Sequence, residues 1–154
     1  MDLLTSAIRR ELSAITAKLH RIDFAKSVEP GMGGTSLYIK ELTEKLSFIK
    51  AEILARYPLG DFGRTWCVTL KTLLYSTYLL FVRVTSIAKY VMKIFVLHIS
   101  IAFPLGESGK LQIASDMTQL EFALNAFITD STQNRRGVGL ESIGAEYRAI
   151  RAMR

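Results

Sequence analysis

The chain has 154 residues, 49% of them apolar and 22% charged, a composition that folds around a core and excludes general disorder. Its one cysteine, Cys67, excludes an internal disulfide and a cysteine-built zinc site, and two histidines, His20 and His98, stand too far apart in sequence to suggest a metal cluster. A formal net charge of +6 leaves room for an acidic partner such as a lipid surface or a nucleic acid.

The first residues, MDLLTSAIRRELSA, lack the basic start and short apolar run of a secretory signal, so a cytosolic chain is expected. From Leu3 to Val28, the apolar residues Ile8, Leu12, Ile15, Leu19 and Ile22 recur in steps of four and three, the seam of an amphipathic helix. Pro30 and the glycines Gly31, Gly33 and Gly34 end it. A second helix, capped by Thr35 or Ser36, repeats the seam with Leu42, Leu46, Ile49 and Ile53 before Tyr57-Pro58-Leu59-Gly60 breaks it.

The third segment, Trp66 to Phe103, is the most apolar. Its longer charge-free runs, Thr72 to Val82 and Ile94 to Gly106, are eleven and thirteen residues, short of the roughly twenty that cross a bilayer. The β-branched and aromatic content of Leu73 to Thr85 also suits a strand, whereas Ile87, Val91, Ile94 and His98 share one helical face and predict a helix over Ile87 to Ile99. From Gly63 to Gly106 the bases Arg64, Lys71, Arg83, Lys89 and Lys93 occur without any Asp or Glu. Elsewhere bases and acids alternate at helical spacing, as in Lys40, Glu41, Glu44 and Lys45.

After a bend at Pro104 to Gly109, Leu111, Ala114, Met117, Leu120, Leu124 and Phe127 predict another bundle helix, with Asp116 and Glu121 off the seam. Thr129 to Gly139 is polar and glycine-containing and predicts a linker, after which Leu140, Ile143, Tyr147 and Ile150 predict a last amphipathic helix. The expected organisation is a helical bundle over residues 1–128, a linker over 129–139 and the start of a further helix over 140–154. The fold class is all-α, an antiparallel helical bundle.

Candidate chemistry is sparse. The stretch Pro104-Leu105-Gly106-Glu107-Ser108-Gly109-Lys110 imitates a phosphate-binding loop, but Pro104 stands where that motif needs its leading glycine and Leu111 where it needs a hydroxyl. A bend is the better reading, with Gly106 and Gly109 easing the turn and Glu107 and Ser108 capping the next helix. Cys67 in its apolar setting reads as a small buried hydrophobe, and His98 as a hydrogen-bonded core histidine. Arg135, Arg136, Arg148, Arg151 and Arg154 are diluted by Glu141 and Glu146, which points to solvated surface and away from nucleic acid. No catalytic constellation, cofactor site or metal site is expected. The basic, aromatic segment from Arg64 to Lys93 leaves a membrane-surface module as the alternative to bundle packing.

Particular residues carry a resemblance. The run FVLHISIAFPLGESGKLQIASDMTQLEFALNAF, with His98, the Pro104 to Lys110 bend, Asp116-Met117-Thr118 and Glu121-Phe122-Ala123-Leu124, resembles the fifth-subunit family of the conserved oligomeric Golgi complex in its fungal form, in the C-terminal part. So do Tyr147 to Arg154, YRAIRAMR, and Gly33 to Leu42, GGTSLYIKEL; between Trp66 and Ile87 the resemblance fades. It implies an elongated helical rod of tethering type and a non-catalytic role in intra-Golgi retrograde vesicle transport. The sixth, seventh and eighth subunits are its implied partners, at the cytosolic face of the Golgi membrane. It also implies that Pro104 to Lys110 is a structural bend and that Asp116, Met117, Glu121, Phe122, Tyr147, Arg148 and Arg151 lie on interaction helices.

Overall fold

The computed structural model describes residues 3–24, 35–54, 70–102, 104–129, 140 and 144–153, with main chain only at 53–54, 70–81 and 153. Five α-helices follow in order: α1 (Leu3–Thr16), α2 (Leu37–Phe48), α3 (Leu70–Ile101), α4 (Glu107–Ile128) and α5 (Ala145–Met153). Among the described residues there is no strand, so the all-α bundle expected from periodicity is what forms.

The seam of α1 is buried as expected through Ile8, Leu12, Ile15 and Leu19. The helix ends earlier than its pattern suggested, tightening into a 3-10 turn at Ala17–Arg21. Just before this turn the buried Thr16 hydroxyl donates to the carbonyl of Leu12 at 2.8 Å, a back-bond that bends helices. In α2 the seam begins one turn sooner than expected, since Tyr38 and Ile39 join Leu42, Leu46 and Ile49 in the core. A single π-helical turn, Ile49–Leu54, closes that element.

The strand alternative for the third segment does not occur. Helix α3 runs 32 residues, and Ile87, Ala88, Val91, Met92, Phe95 and Ile99 form its core face. Its stretch Val82–Ile101 is long and apolar enough to cross a membrane by length and composition, with 33% of it buried in the bundle. Trp66 and Cys67 lie outside the described residues.

Side-chain pairings set the topology. Lys18 reaches Glu41 at 2.6 Å and Lys45 reaches Glu11 at 3.0 Å, so α1 and α2 run antiparallel. Arg9 meets Ser86 while His20 meets His98, so α1 and α3 run parallel. Likewise Ser36 meets Asp116 and Lys50 meets the carbonyls of Ala126 and Thr129, so α2 and α4 run parallel. Two antiparallel hairpins, α1–α2 and α3–α4, therefore lie side by side with parallel contacts between them. One core cluster joins all of these elements.

Helix α5 starts five residues later than Leu140, where its periodicity pointed. Gly144 holds φ at 84°, a left-handed conformation that cannot continue a helix, and its carbonyl receives the Arg148 amide at 3.2 Å. Leu140 and Ile150 still join the common core, and α5 packs on α3. The expected linker falls outside the described residues except for Thr129.

The buried polar centre of the bundle is Asp116, fully enclosed. Its carboxylate accepts from the Tyr38 hydroxyl at 2.8 Å, the Ser36 amide at 3.1 Å and the Gln112 side-chain amide at 3.1 Å. A buried carboxylate persists only with such donors. Burial, then the charge and hydrogen bond of Asp116, push the Tyr38 phenol strongly up and hold it neutral. Tyr38→Phe is expected to cost about 1.5–3 kcal/mol, the range for a hydrogen bond to a charged group, and Asp116→Ala at least as much, in chemical denaturation.

Candidate functional site

The bend is built by backbone contact between distant segments. The Gly106 amide donates to the Phe24 carbonyl at 2.9 Å, and the Lys110 amide returns to the Gly106 carbonyl at 3.0 Å, opening α4. Gly109 is buried against the same Phe24. A Cβ at Gly109 would stand 2.3 Å from the Phe24 carbonyl oxygen and 2.9 Å from its Cβ, so only glycine fits there. Gly106 has φ −75° and ψ 169°, extended backbone open to any residue.

Two expectations about this loop are corrected. The cap position is Gly106, with no side-chain cap bond, because the helix begins at Glu107 itself. Glu107 instead takes an ion pair with Lys110 at 2.8 Å, one turn along. That hydrogen bond and charge hold the exposed Glu107 carboxyl below the usual carboxylate range. Pro104 is exposed, Leu105 packs against the core and Ser108 is half-buried. The lysine and glycine that imitated a phosphate loop are thus occupied by Glu107 and by the Phe24 main chain.

The interaction-helix residues divide sharply. Met117 is interior, on the seam where its spacing put it, whereas Asp116, expected off the seam, is enclosed as well. The apolar seam of α4 runs through Ile113, Met117, Leu120, Leu124 and Phe127, while Leu111, expected in it, is 74% exposed. Charge misled the sequence reading, since an aspartate with three donors takes a core position. Phe122 is 67% exposed. It lies eleven residues from Leu111, about three helical turns, so both share one outward line. Ser115, Thr118 and Ala126 continue that line, which carries no charge from Leu111 onward. Glu121 is half-buried beside it. On α5, Tyr147 is half-buried against the core, Arg148 and Arg151 are exposed, and the Arg151 guanidinium lies 6.0 Å from the Tyr147 ring centre.

Sequence separation hid a further contact. His20, exposed at the end of the 3-10 turn, and half-buried His98 on α3 bring ring nitrogens to 2.7 Å, with ring centres 4.9 Å apart at 65°. Burial, then the neighbouring His20 charge, lower the His98 pKa from 6.5. Among the described residues no third ligand side chain joins them. No sequence signal marks this pair, because 78 residues separate its members.

Two predictions follow from the bend and the histidine pair. Gly109→Ala should lower stability by about 1–3 kcal/mol through overpacking, although alanine is the better helix former, whereas Gly106→Ala should stay within about 0.5 kcal/mol. Thermal melts of the two variants decide this. Since native His98 binds fewer protons than unfolded His98, its contribution is present above pH 6.5 and falls away as pH drops below that value. Comparing melts from pH 7.5 down to about 5, His98→Gln should flatten part of the slope shown by the unsubstituted chain.

No family model matches the chain, and no solved structure matches it. Two curated proteins do. The chain is 30% identical over 153 residues to conserved oligomeric Golgi complex subunit 5 of Arabidopsis thaliana, a match covering 98% of this chain and 16% of that protein. It is 28% identical over 156 residues to the protein of the same name from Mus musculus, covering 99% of this chain and 15% of that protein. The chain thus spans about a sixth of the length of these relatives, which come from a plant and an animal and do not bear on the fungal form. With matches covering nearly the whole chain, and so both hairpins and the bend between α3 and α4, the chain is similar to one segment of conserved oligomeric Golgi complex subunit 5.

Proposed function

We propose that this chain is a non-catalytic assembly segment of a Golgi vesicle-tethering complex, acting in intra-Golgi retrograde transport through helix-mediated contact with other subunits. The observation that carries the reading is the match over 98% of the chain to a protein whose name places it in a multisubunit complex. The sixth, seventh and eighth subunits are the proposed partners, and the cytosolic face of the Golgi membrane is the proposed location.

The geometry supports a division of labour. Pro104 to Lys110 forms a rigid bend held by Gly109 against Phe24, which sets the angle between α3 and α4. The uncharged outward line of α4, with Leu111 and Phe122 exposed, supplies contact surface, and Arg148 and Arg151 are exposed on α5, which packs on α3. Exposed large apolar side chains of this kind fit the apolar centre of a protein interface.

The test is co-purification of the tagged chain from cells, with other complex subunits identified by mass spectrometry. Leu111→Asp combined with Phe122→Asp should reduce their recovery at least tenfold while the far-ultraviolet helical signal stays unchanged, since both positions face outward. Undiminished recovery would remove this face from the assembly, and no recovery of any complex subunit by the unsubstituted chain would overturn the reading as a whole.

A further inference from the structure

The acid-free segment of the sequence folds against a second basic element. Because α1 and α3 run parallel, with Arg9 on Ser86, the bases Arg9 and Arg10 of α1 fall level with the part of α3 that carries Arg83, Lys89 and Lys93. An open groove of about 550 Å³ lies along this α1–α3 seam, lined by Ser6, Arg9, Arg10, Ser13, Ala17 and Tyr90 among others. The Arg9 guanidinium lies 5.1 Å from the Tyr90 ring centre and donates to Ser86 at 2.6 Å, which holds its positive charge at the groove wall. Lys93 is exposed one turn beyond Tyr90. The described acid of α1, Glu11, pairs with Lys45 on the α2 side, away from the groove. Among the described residues that follow along the same line, the next acidic side chain is Asp23, which lines a small cleft with His20 and Ile101.

Large apolar residues flank this charge. Leu97, two turns from Tyr90 on the same helical line, is 56% exposed, Ile101 is 63% exposed and Leu3 at the start of α1 is 90% exposed. Cations level with apolar side chains on one face match the order of an anionic bilayer surface, where phosphates lie above the acyl boundary. A partner that was only acidic would leave those apolar groups unused.

We propose that the α1–α3 face docks on an anionic lipid membrane, with lipid phosphates taken by Arg10 in the groove and by Lys93 beyond its Tyr90 edge, and with Leu97 and Ile101 entering the headgroup boundary. This lies on different elements from the assembly surface of α4, so either can fail without the other.

The test is sedimentation of the whole chain with phosphatidylcholine vesicles with or without phosphatidylserine. Binding should require phosphatidylserine and weaken steeply with added salt, as a screened charge attraction does. Arg10→Glu combined with Lys93→Glu, both exposed and outside the core, should weaken it at least tenfold, and Leu97→Ser should weaken it without changing the salt dependence. Failure to sediment, binding indifferent to the charge reversals, or retention on polyglutamate in place of vesicles would each overturn the proposal.

Discussion

A carboxylate sealed inside a helical bundle has to be surrounded by donors, and Asp116 is the point around which this fold is organised. Its three donors come from two helices: the Tyr38 hydroxyl and Ser36 amide from the start of α2, and the Gln112 amide from its own helix. Removing any of them leaves a buried charge short of partners, at a cost comparable to a sizeable part of a small domain's net stability. Register between α2 and α4 is thereby fixed. Once Asp116 points inward, Leu111 and Phe122 must point outward, because a helix has one rotation about its axis. At the far end of the same pair, the Lys50 ammonium binds the last carbonyls of α4 and reinforces that register.

The second constraint is a near-contact of main chains. Phe24, just after the 3-10 turn, receives the Gly106 amide and lies against Gly109, so the first hairpin meets the second where α3 turns into α4. A side chain at position 109 would separate these segments. The motif that resembles a phosphate loop therefore has a structural use for its glycine and an ion-pair use for its lysine. Hairpins joined this way present the α1–α3 and α4 surfaces as distinct faces, one basic and one uncharged.

Much of this was legible in the residue pattern. Steps of three and four marked α1, α2 and most of α4, although α1 ends well before the proline-glycine break expected to stop it. Burial of Leu12, Leu42, Val91 and Leu120 follows directly from that spacing. Misplacement occurred where pattern and chemistry compete. Leu111 was put in the core and Asp116 outside it because hydropathy ranks residues singly, whereas donors from α2 make aspartate the better interior residue here. Helix α3 was legible only in its C-terminal half, since β-branched and aromatic residues suit strands until tertiary packing decides. The parallel pairing of α1 with α3, the His20–His98 contact and the fit of Gly109 on Phe24 join residues about eighty positions apart, and no local signal encodes them. Of the candidate site, the bend was legible as a bend, while the outward place of Phe122 needed the rotation of α4.

The proposed assembly through the α4 face would depend on both constraints, because the buried carboxylate orients the face and the glycine contact sets its angle. Site-specific photo-cross-linking, with benzoylphenylalanine in place of Phe122 in the assembled complex, tests that claim most directly. Adducts between position 122 and another subunit of the complex are the predicted result. Adducts confined to this chain, or none, while the complex remains assembled would contradict it.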